Sequence, residues 1–523
     1  MIMLRWCPIG LSRAVALAAT LSLASAAFSW KPTTHIALAQ IVVDELIQRG
    51  DGRLAIYVLD NFPDSAEKAT LLGTYRVDPL VFAAVTQYPS RYRAGVIGPD
   101  GYPDILTGQQ VAHTDSNNRG GSDAWLSYLY KQSRAGSYDQ TTRLKIVSFV
   151  TGYLTHAAGD MFAHSFVNAY TGGDFNLGIN AAKHFVIEGY CDRRAPGVER
   201  VLRMPVSIEG VEQFIYDTMI GAKPGSYLDK VLLQNFEHSK FSIPRIYSDI
   251  RNALQANINW YYSLPVRDQW LYSISHPGWI TYQEFWVRDI DEGLRALPEV
   301  SHEIALALFF SPDRKVNLDR AKAIAAAYVR DHLLSMSGVP DLIGVALFIA
   351  DFLNGLLPQV VREAIELMRD GLLTYLVNKA FGIALDELKR WLSDPENVWA
   401  EIVGPGSPPG EPGQGIRISL NDFNRTVMKI QGRKNEVFDY RKFAPAWNTV
   451  QMTKLLMLDA GELQRLQRDL GVRQGIAAPI NAMLGYNKKL DGSCQWNINP
   501  AKMFLVPNGM YHALFLRQTG DCP

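Results

Sequence analysis

Apolar residues recur at helical spacing over most of the first four hundred positions. Leu38, Val42 and Leu46 follow one another every fourth residue, behind Thr33 or Thr34 as the capping residue and ahead of Gly50 as a stop. The same period runs through residues 143–170, 303–334 and 359–391. Alternating patterns with hairpin signals are scarce, so these segments predict a mostly α, multi-helix chain. Residues 404–415 are nine parts Gly and Pro in twelve, a composition that holds neither helix nor strand and marks a linker. Behind it lies a smaller region, 416–523, with helical stretches at 447–469 and a strand near 510–517. An α and an α+β fold both stay open for this region, and no internal repeat is visible.

The first thirty residues read as a targeting segment. Arg5 and Arg13 are the sole charges before Lys31, Ala14 to Ala27 is nearly all apolar, and small residues cluster at Ala24, Ser25, Ala26, Ala27 and Ser29. This is the pattern of a secretory signal peptide over 1–29, too short for a membrane span, and it predicts a secreted or periplasmic protein. Cleavage after Ala26 and cleavage after Ser29 both fit; the second would make Trp30 the first mature residue. The remaining cysteines are Cys191, Cys494 and Cys522. The last two bracket a Gly/Asn/Pro-punctuated segment and form the expected disulfide of an oxidising compartment.

Composition narrows the function classes. The 523 residues carry 52 basic and 52 acidic side chains, with 47% hydrophobic and 20% charged residues. That balance excludes a disordered tail, a fibre, and a polybasic nucleic-acid binder working by bulk charge. Nine aromatics crowd between Trp260 and Trp286, readable as core and surface packing or as a rim for a quaternary ammonium or a membrane interface. Residues 342–377 are unusually apolar but interrupted by Asp351 and Pro358. They read as a buried helix pair or as part of a membrane-contacting insert over 340–395.

The chemistry concentrates upstream. Five of the ten histidines lie between His35 and His184. His156, Asp160 and His164 stand at i, i+4 and i+8, one stripe of a helix, and His184 and Glu188 repeat the i, i+4 device. Asp100 precedes His113, and His35 opens the first helix. Imidazole with carboxylate is a ligand set that zinc prefers. His238, His276, His302, His332 and His512 lack ligand-spaced partners and read as structural.

Trp30-Lys-Pro-Thr-Thr-His35, Ile97-Gly-Pro-Asp100, His113, His156/Asp160/His164 and His184/Glu188 together resemble the motif series of the zinc-dependent phospholipase C family. Its relatives include the N-terminal domain of the GPI-specific phospholipase D and the trinuclear-zinc single-strand nucleases. The resemblance is strong over 30–190 and reaches weakly to about 300. It implies a helical zinc domain over 30–403 and three zinc ions. One would be held by Asp100, His113, His156 and Asp160, and a second by His164, His184 and Glu188. The third would take the α-amine and carbonyl of Trp30 with His35 and a shared Asp160. The four-residue step from Asp160 to His164 is similar to the phospholipase D relatives, whereas the compact phospholipases and nucleases tend to have six. Asp104 competes with Asp100 for its place.

The expected activity is metal-assisted hydrolysis of a phospholipid phosphodiester at a membrane surface, phospholipase C in type. Clustered zinc ions neutralise charge building on phosphorus and acidify water, and Asp100 is the catalytic residue that orients or deprotonates that water. An exported single-strand nuclease or nucleotidase is the runner-up. Net neutrality and the absent basic stripe speak against nucleic acid as the partner. A non-catalytic, zinc-stabilised membrane-binding protein is the third reading.

Overall fold

The computed structural model describes residues 30–59, 69–103, 121–135, 138–172, 179–220, 243–311, 317–328, most of 387–407, 415–469, and four short strands between 497 and 517. The expectations for the signal peptide, Asp104, His113, the 340–386 part of the insert, Cys494 and Cys522 lie outside the described residues. The described chain is mostly helical, as its periodicity predicts.

Helix α1 (Pro32–Arg49) closes at Gly50 in the left-handed conformation, as the sequence implies. Its start differs from expectation. Lys31 is the cap residue, with Pro32 in the first turn, where its fixed φ suits a helix start. The two threonines serve tertiary contacts instead. Thr33 Oγ1 donates to the Phe309 carbonyl at 2.9 Å, and the Thr34 amide donates to Asp192 at 2.8 Å. A hairpin follows, β1 (Arg53–Leu59) against β2 (Ala69–Arg76), antiparallel with a register shift between Ile56 and Tyr57. That shift breaks the two-residue alternation, which is why the strand pattern is faint in the sequence.

Next come α2 (Pro79–Gln87), α3 (Pro89–Ile97), α4 (Gly121–Ala135) and α5 (Gln140–Thr171). Asp78 caps α2 by accepting from the amides of Leu80 and Val81, and Asp139 caps α5 by accepting from Thr142. The 32 residues of α5 make a rod about 48 Å long, since a helix rises 1.5 Å per residue. Helix α3 lies against it with backbones nearly touching. A Cβ on Gly95 would sit 1.8 Å from the Phe149 carbonyl oxygen, and one on Gly152 would sit 2.1 Å from that of Tyr92. This approach delivers the turn after α3, Gly98–Asp100, to the middle of α5.

Helix α6 (Ile179–Arg193) is buried along most of its length. Helices α7 (Ile243–Ser263), α8 (Val266–Ser275) and α9 (Trp279–Phe309) form a long excursion, followed by α10 (Leu318–Tyr328). The periodic stretch 303–334 is thus divided between the end of α9 and α10; Pro312 stands just beyond α9, and prolines disfavour helix at the residue before them. No helix among the described residues is long and apolar enough to cross a membrane.

The division of the chain at 404–415 does not correspond to a division of the core. Helices α11 (Pro395–Ile402), α12 (Ala444–Met457) and α13 (Ala460–Asp469) share one hydrophobic cluster with α1, α3, α5 and α6. Every residue of α12 is buried. Phe423 packs on Trp399, Tyr170 and Tyr190, and Phe443 packs on Trp30 and Phe166. Ile416 donates its amide to the Ala169 carbonyl at 2.9 Å. Residues 416–469 are thus a wall of this body. The helical stretch 447–469 breaks where Leu458 bridges to Val77, handing the chain from α12 to α13. Short antiparallel pairs close the chain, β3 (Asn497–Ile498) with β6 (Leu516–Arg517) and β4 (Met503–Val506) with β5 (Met510–Ala513).

Candidate metal centre

Three elements converge on one buried point. Helix α1 brings His35, the turn after α3 brings Asp100, and α5 brings His156 and Asp160. The exposure of each of the four is 2% or less. One donor atom each from His35, Asp100 and His156 fits within a 4.8 Å group, the separation expected of ligands around a single cation. Asp160 reaches both rings: its Oδ1 lies 3.2 Å from His35 Nε2 and its Oδ2 lies 3.0 Å from His156 Nε2. The imidazoles stack with 4.0 Å between centroids and 19° between planes.

The surroundings orient these donors. His156 Nδ1 lies 3.0 Å from the Val96 carbonyl. A carbonyl only accepts, so Nδ1 carries the proton and Nε2 is turned to the carboxylate, the outer-shell support that metal-binding histidines use. Two glycines make the space. A Cβ on Gly98 would lie 2.4 Å from His156 Cγ, and one on Gly159 would lie 2.6 Å from His35 Nδ1. Only residues without a side chain allow both rings to sit where they do.

The electrostatics are unbalanced without a cation. Burial pushes His35 below its ordinary pKa, helped by His156, against Asp160 and Asp100. Burial would also lower His156, but the charge and contact of Asp160, with Asp100, outweigh it and push His156 up to about 9. Burial raises the Glu188 carboxyl well above the carboxylate range; Lys31 opposes the rise, while Asp100 and Asp160 add to it. Asp100, Asp160 and Glu188 are three carboxyls at 0–1% exposure. Buried carboxylates of this kind are stable only when protonated, paired or bound to metal. Neither His35 Nε2 nor Glu188 Oε2 has an aligned hydrogen-bond partner. The donor set of His35, Asp100, His156 and Asp160 therefore fits a divalent cation of the zinc type.

His184 and Glu188 face each other on α6, with His184 Nδ1 3.3 Å from Glu188 Oε1. They do not join the three-residue group. His184 Nε2 is hydrogen-bonded to Thr171 Oγ1 at 3.0 Å. His164 sits on α5, two turns beyond His156, and its side chain lies outside the described residues, as does all of His113. The Trp30 ring is fully buried, stacked on Phe166 at 5.8 Å and edge-on to Phe443 at 5.7 Å.

Sequence reasoning passed over Lys31 and Asp192. Lys31 is buried and Asp192 half-buried near Glu188; desolvation pushes the Lys31 amine down against the pull of Asp192 and Glu188, and pushes Asp192 up. Lys31 stands inside the Trp30–His35 motif, so its neighbourhood was legible even though its charge partners were not. His302 hydrogen-bonds the Tyr102 hydroxyl at 2.7 Å, which makes it a packed core residue.

The comparisons with known proteins add no name to this site. No family model matches the chain, and neither a curated protein nor a solved structure matches it.

Proposed function

We propose that this chain is an exported, zinc-dependent phosphodiesterase that hydrolyses phospholipids in the manner of a phospholipase C. The observation that carries the reading is the buried meeting of His35 and His156 with Asp100 and Asp160. The motif resemblance supplies the substrate class. His35, Asp100, His156 and Asp160 would hold the metal, with His184 and Glu188 one helix away. Zinc held there supplies positive charge to the phosphoryl oxygens and makes a nearby water more acidic.

The protein's own groups do the rest. Asp160 fixes the angle between the two imidazoles, and the Val96 carbonyl fixes the tautomer of His156. Asp100 orients the attacking water and takes its proton. The water oxygen bonds to phosphorus as the bond from phosphorus to the glycerol oxygen breaks. The proton passes to that glycerol oxygen, releasing diacylglycerol and a phosphorylated head group.

Purified protein incubated with a short-chain, monomeric phosphatidylcholine and, separately, with single-stranded DNA tests the reading. Hydrolysis of the lipid, abolished by chelator and restored by zinc, is the expected result. Cleavage of DNA alone would make the chain a nuclease. Bound zinc with neither activity would make the metal structural.

A further inference from the structure

Helices α7 and α9 run antiparallel. Arg251 pairs with Asp291 at 3.0 Å, Asn257 donates to Gln283 at 2.8 Å, and the Tyr262 hydroxyl donates to Glu284 at 2.8 Å. Helix α8 caps the far end of this hairpin. The opposite end of α9, Phe309, touches Thr33 at the start of α1. The 31 residues of α9 therefore carry the tip about 45 Å along the helix from the α1 end, by the ordinary rise per residue.

The tip is built inside out. No residue of α8 is buried. Its inner side is held by polar and aromatic contacts: Gln269 donates to the Leu264 carbonyl at 2.8 Å, Tyr261 meets Ser273 at 2.8 Å, and Tyr272 lies against Trp260. Its outer side carries Val266, Trp270, Leu271 and Ile274, at i, i+4, i+5 and i+8, exposed by 82, 63, 47 and 60%. Trp260 and Tyr262 on α7, and Tyr282 and Phe285 on α9, are exposed as well. Apolar side chains facing water on one helix face mark a surface made to be covered.

The chemistry of the tip selects its partner. Between Asn252 and Gln283 the sole charged residues are Arg267 and Asp268, which cancel, in a chain that is 20% charged overall. Glu284 and Arg288, just past this stretch, also carry opposite signs, so the tip presents no single-signed patch to a partner recognised by charge or to an anionic lipid surface. Trp and Tyr, with apolar rings and one polar atom each, are the residues that settle at a membrane–water boundary. An amphipathic helix lying flat at the end of a lever suits that boundary. We propose that the α7–α8–α9 tip inserts the Val266/Trp270/Leu271/Ile274 face of α8 into the interface of an electrically neutral, zwitterionic lipid bilayer. The choice of lipid rests on the phospholipid reading of the metal centre; the inside-out helix does not.

Co-sedimentation of the full chain with phosphatidylcholine vesicles tests this, together with quenching of tryptophan emission by brominated lipid. The wild type should sediment with vesicles. Trp270→Ser with Ile274→Ser should weaken binding by about tenfold or more, since two apolar side chains leave the interface. Trp270→Phe should keep binding but lose part of the quenching, which a misfolded variant would not do. Absence of sedimentation overturns the proposal. Self-association abolished by Trp270→Ser, with no vesicle binding, overturns it in favour of a second copy. Trp270 shielded from aqueous acrylamide without lipid, with no vesicle binding, overturns it in favour of the chain's own 342–377. Hydrolysis of monomeric lipid is read in parallel. Vesicle binding without hydrolysis leaves docking standing and removes the enzymatic reading, and hydrolysis without vesicle binding does the reverse.

Discussion

His35 and His156 come from different helices yet stack ring on ring, 4.0 Å apart, with the Asp160 carboxylate spanning their Nε2 atoms. Two stacked imidazoles do not both accept a proton in a buried site, and here one is pushed up while the other is pushed down. An entering cation must displace the proton on His156, so metal binding and protonation compete at one place.

Asp160→Asn should be the most damaging single change at the centre. The amide keeps the shape but removes the charge both rings face, and metal affinity should fall by about a hundredfold. Metal analysis of the purified variant checks this. A variant that holds zinc better than His35→Ala would show that Asp160 does not link the two sides.

Gly159→Ala tests the site without touching a ligand. The new Cβ would lie 2.6 Å from His35 Nδ1, so the ring has to move. Metal affinity should fall by about 10–100-fold, as when the support of a ligand is disturbed, while the helical circular dichroism stays unchanged. Full zinc content would place His35 outside the centre.

Zinc removal should destabilise the fold as well as end activity. A metal present at a hundred to a thousand times its Kd stabilises the native state by about 3–4 kcal/mol. Thermal melts with and without chelator should separate by several degrees, and an unchanged melt would argue against a metal at this core.

Removing 416–523 should destroy the centre, although no proposed ligand lies there. Trp30, two residues before α1, is packed against Phe443, and Lys454 on α12 donates to the Ala55 carbonyl at 2.9 Å. The expected product is unfolded and free of zinc. A folded, zinc-loaded truncation would restore 30–403 as a domain of its own.

Acid should act on the cap of α5. The Asp139 carboxylate accepts from the Thr142 hydroxyl at 2.6 Å and its amide at 3.0 Å, which holds its pKa below 3.8. Because the folded pKa is depressed, the stabilisation is complete above the unfolded value and is lost as pH falls through the folded one. The difference in Tm between wild type and Asp139→Ala should therefore be full at pH about 5 and close below 3.8.

By itself the sequence determined the helical class, the stop of α1 at Gly50, and the shared face of His156 and Asp160 on α5. These follow from local backbone geometry, because residues four apart on a helix meet wherever the helix lies. The same locality placed His184 opposite Glu188. Only the tertiary structure decided that His35 stacks on His156, that Asp100 reaches them through the close pass of α3 at Gly95 and Gly152, and that residues behind the Gly/Pro run complete the core. Local pattern carries no record of which distant surfaces fit together. It identified 404–415 as irregular backbone, but whether irregular backbone separates two bodies or crosses one depends on what packs on either side. The outward face of α8 is the same case: the aromatics between Trp260 and Trp286 were legible as a cluster, while the side of α8 turned to water was fixed by where α7 and α9 run.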